Sequence, residues 1–205
     1  NQQPWLTAGL QFSEHTIMIQ QFCNWLLVKR MKWTIEDQLP LPEKCIICLA
    51  PHTSNWDFIM GVLYMFSRGI RINFLMKKEW FQWPLGPIFR SIGGIPVFRA
   101  RHSHMTDALA DAAIKNPTFR LCITPEGTRS LNADWKKGFY FIAQKARIPI
   151  LLYSLDYGKK LIRCADSFIP QGDIDADMMR VKRYFIHVQG KHPEKFTTGL
   201  SEEKS

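Results

Sequence analysis

The sequence predicts a single α/β domain, with a mostly parallel central sheet flanked by helices and an amphipathic helix ahead of it. Three observations carry that reading. Short apolar runs rich in strand formers alternate with longer segments whose apolar residues recur at helical spacing, the pattern of parallel strands joined by helical crossovers. The chain has 205 residues, enough for one well-buried domain and short for two. Hydrophobic residues make up 46% of it and no low-complexity tract interrupts them, which argues against disorder.

Residues 8 to 31 read as one helix. Gln20, Gln21 and Asn24 form a narrow polar stripe, Ile17, Met18, Ile19, Phe22, Cys23 and Trp25 to Val28 cover the rest, and Lys29, Arg30 and Lys32 follow. A wide apolar face with a basic end suits a helix lying on anionic lipid, and a helix packed on its own domain has the same pattern. Residues 1–31 are therefore set apart from the domain at 32–205. Trp33 to Glu36 reads as a short strand, and prolines 40 and 42 lead into a buried strand at Cys45 to Ala50. A helix at about 55 to 68 stops at Gly69, and Arg71 to Lys77 reads as the next strand.

Lys77 to Arg90 mixes aromatic, proline and cationic residues as a lipid-facing surface does, although core packing of Trp80 and Phe81 also accounts for the rings. Gly93 to Arg99 reads as a turn and a short strand. A helix from about Met105 to Lys115 ends at Pro117. Then come a strand at Phe119 to Thr124, a helix at Gly138 to Ala146, a strand at Ile148 to Leu155 and a short strand near Leu161 to Cys164. The last helix, about Asp175 to Val188, begins acidic and continues basic, matching its dipole. In such folds ligands gather at the carboxyl ends of the strands, where Pro51-His52 and Pro125-Glu126 both fall.

The formal charge of +9 makes anions the natural partners: an acidic carrier protein, a phosphorylated small molecule, an anionic membrane surface or nucleic acid. No zinc-finger spacing, RNA-recognition signature or helix-turn-helix stands out, so nucleic acid is not an expected partner. The aromatic share of 13%, with seven Trp, places some rings at an interface. The five cysteines are an odd number and mostly sit in apolar runs, as buried free thiols do in a reducing compartment. Cys45 and Cys48 form a C-x-x-C that no second pair completes, so no metal is expected. No apolar run reaches the roughly 18 residues needed to span a bilayer. The chain opens on Asn1 rather than Met, which leaves open whether residues precede it.

The candidate chemistry centres on Pro51-His52-Thr53-Ser54-Asn55-Trp56-Asp57. Five residues along a regular helix turn about 500°, which would put His52 and Asp57 on different faces. They meet only if the helix starts between them. Ser54 and Asn55 are preferred capping residues, so a start there leaves His52 in the turn and lets Asp57 reach back from the first helical turn. An imidazole held by a carboxylate is a general base with fixed orientation. His102 and Asp107 repeat the spacing, but in a polar approach to a helix, where they read as surface residues with Asp107 placed to start that helix. The second ingredient is Pro125-Glu126-Gly127-Thr128-Arg129, which offers close backbone approach, a hydroxyl and a guanidinium fork for phosphate.

Histidine-x4-aspartate followed 74 residues later by P-E-G-T-R resembles the glycerophospholipid acyltransferases, the group that includes 1-acylglycerol-3-phosphate acyltransferase. The likeness runs from about Trp33 to about Tyr157. Gly94-Ile95-Pro96-Val97-Phe98-Arg99 matches the family's glycine-led strand ending in arginine, Lys77-Lys78-Glu79 its lysine-rich stretch, and Lys137-Gly138 its next helix opening. Leu152 stands where a second proline is usual and Thr124 where phenylalanine is, departures that bear on acyl chain and acceptor.

The resemblance implies a glycerol-3-phosphate acyltransferase-like fold and membership of phospholipid biosynthesis. It implies that His52, oriented by Asp57, takes the proton of an acceptor hydroxyl as that oxygen attacks the thioester of acyl-CoA or an acyl carrier protein, with no cofactor beyond that co-substrate and no acyl-enzyme. It assigns Glu126, Gly127, Thr128 and Arg129 to the acceptor, a lysophospholipid, and Arg99 to its phosphate, with Lys77 or Lys78 as a further candidate. The turn's backbone N–H groups are the candidate oxyanion donors, and the apolar sides of Phe58 to Phe66 and Trp80 to Phe89 the candidate walls of an acyl channel. The expected setting is peripheral, on the cytoplasmic membrane face. A lyso-aminolipid or another single-chain acceptor, and a non-catalytic lipid-binding module, remain as alternatives.

Overall fold

The computed structural model describes residues 14–97 and 102–200. Seven strands form one sheet: β1 (Thr34–Asp37), β2 (Lys44–Ala50), β3 (Asn73–Lys77), β4 (Gly94–Val97), β5 (Phe119–Ile123), β6 (Ile150–Asp156) and β7 (Leu161–Phe168). Their order across the sheet is β1-β7-β6-β2-β5-β3-β4, and only β6 and β7 pair antiparallel. Five strands, from β6 to β4, therefore run in one direction and end at one edge, while β7 and β1 run back. The helices are α1 (Glu14–Asn24), α2 (Asn55–Arg68), α3 (Leu85–Ser91), α4 (His102–Lys115), α5 (Gly138–Ala146) and α6 (Ile174–Phe185).

Alternation along β2 divides the interior in two. Ile46, Cys48 and Ala50 join the core that holds Leu109 of α4, Phe139 of α5 and Phe185 of α6. Cys45 and Ile47 face the other way, into the core with Leu27, Met60 and Tyr64 under the amino-terminal helices. Helices thus cover both faces, as a sheet with near-continuous apolar strands requires. The two cysteines of the C-x-x-C point to opposite sides of the sheet, which removes them as a shared metal site. All five cysteines are free.

The amino-terminal helix packs on its own domain along one side only. Its α1 segment packs on α2, and a π-helical turn, Trp25–Arg30, buries Leu27 completely. Ile17, Met18, Ile19, Phe22 and Trp25 stay exposed on the other side. Residues 8 to 13 of the expected helix lie outside the described residues.

Three expectations are corrected. The last strand runs on to Phe168, longer than its apolar start suggested, because Asp166 is held by Arg180 of α6 and the strand pairs with β6 in a hairpin. The final helix stops at Phe185 and the chain then turns back toward the sheet edge. The segment after Lys77, to which the sequence reading assigned no element, contains a 3-10 turn, Lys78–Phe81, and then α3, whose first turn accommodates Pro87. The helix expected from Met105 begins at His102, so Asp107 lies within it and bonds Lys145 at 2.8 Å instead of starting it.

Candidate active site

Strand β2 leaves the sheet through Pro51, and the chain passes almost at once into α2. Ser54 is the N-cap, with extended backbone, and its Oγ accepts the Trp56 N–H at 3.2 Å. Asp57, three residues on, reaches back and accepts the N–H of Ser54 and of Thr53, each at 2.7 Å, through Oδ2. This is a capping box, which makes the carboxylate part of the helix start. The same Oδ2 lies 3.3 Å from His52 Nδ1. One aspartate therefore both begins the helix and faces the imidazole, which is why a five-residue spacing brings the two together.

Asp57 is 1% exposed and His52 23%, so the acid is sealed in and the ring reaches the surface. Nδ1 has no other partner, and its approach to Oδ2 is close without the alignment of a full hydrogen bond. With Nδ1 turned to the carboxylate, Nε2 is left as the basic nitrogen.

Glu126 follows β5, the neighbour of β2, and its Oε1 accepts the backbone N–H of His52 at 3.0 Å. The two motifs are thus joined directly. Glu126 is 4% exposed and its Oε2 is buried with no partner. Burial pushes its carboxyl up to about 7; the Asp57 charge acts in the same direction and the His52 N–H opposes both.

That shift has a stability consequence. Between the ordinary value of 4.5 and about 7 the folded protein holds a proton that the unfolded chain has released, so stability falls as pH rises through that window. Glu126→Gln removes the titration. Between pH 5 and pH 8 the wild type is expected to lose on the order of 3 kcal/mol more than the variant, read as denaturant midpoints. Parallel curves would place the titration elsewhere.

Gly127 has φ +65°, a left-handed conformation that favours glycine, and this turn requirement explains the residue without any ligand. The Thr128 hydroxyl accepts the Ser130 N–H at 3.2 Å, and Asn132 donates to the Glu126 carbonyl at 2.8 Å, so the loop is tied to itself. Arg129 is half-buried, and among the described residues it has no ion pair. Lys77, exposed, is the last residue of β3; continuing the β3–β5 register places it level with Pro125. Lys78 is exposed at the start of the 3-10 turn. Arg99 lies outside the described residues; β4 ends at Val97, opposite Lys77.

The backbone N–H groups of the turn do not serve as free oxyanion donors: that of His52 goes to Glu126, and those of Thr53 and Ser54 go to Asp57. The aromatic segment is divided as well. Phe58 of α2 meets Phe74 edge to face at 5.0 Å and Phe89 at 6.1 Å, and Phe89 meets Trp80 and Phe81, while Trp83, Leu85 and Ile88 are exposed.

Two features at the site carried no sequence signal. Tyr157 follows β6, on the other side of β2, and its hydroxyl and Asp57 Oδ1 are both buried without hydrogen-bond partners. Burial first, then the Asp57 carboxylate, pushes the phenol up. Residues 189 to 192 also reach the turn, from far along the chain. Only the strand order, which sequence periodicity does not encode, puts either of them there.

The carboxyl edge of the sheet thus carries a capped His-Asp turn bonded to a Glu-Gly-Thr-Arg loop. The family described as Acyltransferase matches residues 30–154, and the chain belongs to it. Among solved structures, the chain is similar to the crystal structure of the 1-acyl-sn-glycerophosphate (LPA) acyltransferase, PlsC, from Thermotoga maritima, with a TM-score of 0.53 and 19% identity. The match covers 82% of this chain and 74% of that one, and at this identity it bears on the fold. Comparison with curated proteins finds no match.

Proposed function

We propose that this acyltransferase moves a fatty acyl group from a thioester, acyl-CoA or acyl carrier protein, to the hydroxyl of a lysophospholipid, 1-acylglycerol-3-phosphate in particular. The observation that carries the reading is the His52 Nδ1 to Asp57 Oδ2 approach of 3.3 Å beside Glu126, which bonds the His52 N–H at 3.0 Å. His52 Nε2 takes the acceptor's hydroxyl proton as the oxygen attacks the thioester carbonyl carbon. Asp57 holds the imidazolium that forms. The carbon–sulfur bond breaks as the tetrahedral intermediate collapses, and the thiolate leaves with the proton from His52.

Arg129 supports a phosphate-bearing acceptor, since a half-buried guanidinium without an internal carboxylate is a ready anion ligand. Lys77 adds charge at the same edge. Arg99 is proposed for the same phosphate on the family resemblance alone. Purified protein given acyl thioester and 1-acylglycerol-3-phosphate is expected to release thiol and yield the diacyl product by mass spectrometry. Release only with a lyso-aminolipid or other acceptor would reassign the substrate. No release with any acceptor would remove acyl transfer.

The setting we propose is peripheral, at the cytoplasmic face of an anionic membrane. No helix among the described residues is long and apolar enough to cross a bilayer. Exposed Ile17, Met18, Phe22 and Trp25 at the amino terminus, with Trp83 (88% exposed) and Ile88 at α3, give apolar side chains that water does not favour. Liposome binding is expected to rise with the fraction of anionic lipid and to fall with salt, checked by co-sedimentation. Binding that ignores salt would exclude the basic surface as the docking face.

A further inference from the structure

Beyond α6 the chain returns to the carboxyl edge of the sheet and lies across the His52 turn. The Gln189 carbonyl accepts the Tyr157 N–H at 2.8 Å. Gly190 is buried against Pro51 and Thr53. Lys191 Nζ sits 4.5 Å from the centre of the Trp56 ring, and the His192 N–H is donated to Thr53 Oγ1 at 3.2 Å. Four consecutive residues therefore each touch a neighbour of the His52–Asp57 pair. All four lie outside the family match at 30–154.

Position 190 leaves no room for a side chain. A Cβ there would lie 2.9 Å from Thr53 Cγ2, 3.0 Å from Thr53 Oγ1 and 3.1 Å from Pro51 Cβ. None of these is the far end of a flexible chain: threonine is stiff at its β-branch, and Pro51 is a ring. Thr53 in turn donates its own N–H to Asp57 Oδ2 at 2.7 Å, so displacing Thr53 displaces the carboxylate that faces His52.

We propose that Gln189–His192 is a clamp that fixes the turn for acyl transfer, with Gly190 as the positioning residue that allows the close approach. The clamp rests on the catalytic reading of His52 and Asp57. Transfer demands near-attack geometry, and a small displacement of the base lowers the rate without a matching loss of binding. Gly190→Ala is expected to lower kcat about tenfold while KM changes by less than about twofold. Thr53→Ser removes the methyl nearest the new Cβ and keeps the hydroxyl. In the Gly190→Ala/Thr53→Ser pair, measured against Thr53→Ser alone, the loss is expected to shrink to less than about threefold.

A folded Gly190→Ala with wild-type kcat overturns the clamp, and so does a loss that Thr53→Ser leaves undiminished. Should Gly190→Ala not fold, Thr53→Val tests the other side of the contact. It keeps the shape and removes the acceptor of the His192 N–H, so kcat is expected to fall several-fold at constant KM. An unchanged kcat overturns the clamp. His52→Ala assayed alongside separates the two failures. If it is inactive while Gly190→Ala turns over at full rate, the clamp alone is wrong. If His52→Ala remains active, the catalytic reading fails and takes the clamp with it.

Discussion

His52→Ala is expected to lower turnover by at least about 10²-fold and by up to about 10⁴-fold, the range a positioned general base contributes. The protein should fold as before. Only the imidazole is removed, whereas the bond from residue 52 to Glu126 is made by the backbone N–H and survives the change. Asp57 also keeps both of its backbone donors, Thr53 and Ser54. The unfolding midpoint should therefore stay near that of the wild type while kcat collapses. A well-folded variant that retains turnover would remove His52 from the base role.

Two substitutions at Asp57 separate its two duties. Asp57→Ala leaves the N–H groups of Thr53 and Ser54 without an acceptor in a buried turn and breaks the capping box. Each unpaired buried donor costs about 1–3 kcal/mol, so a stability loss of roughly 2–6 kcal/mol is expected, together with loss of turnover. Asp57→Asn offers an amide oxygen to the same donors and should keep stability within about 1 kcal/mol. It carries no charge to hold the imidazolium, so turnover should still fall by about 10²-fold or more. Urea midpoints and kcat of both variants check the division. Full turnover in Asp57→Asn would show that the carboxylate only caps the helix.

The geometry of the His52–Asp57 turn was legible because it is local. Capping preference at Ser54 fixes where α2 starts, and that start decides whether His52 and Asp57 meet. The strands from β2 to β6 were legible for a similar reason, since apolar runs between turn residues need only short-range pattern. Pairing is not local. That β5 lies beside β2, so that Glu126 reaches the His52 N–H, was implied only by both motifs ending strands. The place of Tyr157 and of the 189–192 segment required the strand order itself. The β6–β7 hairpin was missed as a reversal because the overall alternation of strands and helices pointed to parallel pairing. The amino-terminal helix could not be assigned from its apolar face, because that face is divided between buried Leu27 and exposed Phe22 and Trp25.

The central claim is direct transfer, with His52 as base and no acyl group passing through the protein. Single-turnover mixing tests it most directly: protein in excess over acyl-CoA or acyl carrier protein, with thiol followed in the presence and absence of 1-acylglycerol-3-phosphate. Thiol is expected only when the acceptor is present, one per acyl group, with the acyl chain recovered in the lipid product. A burst of thiol without acceptor that leaves an acyl mass on the protein would contradict it.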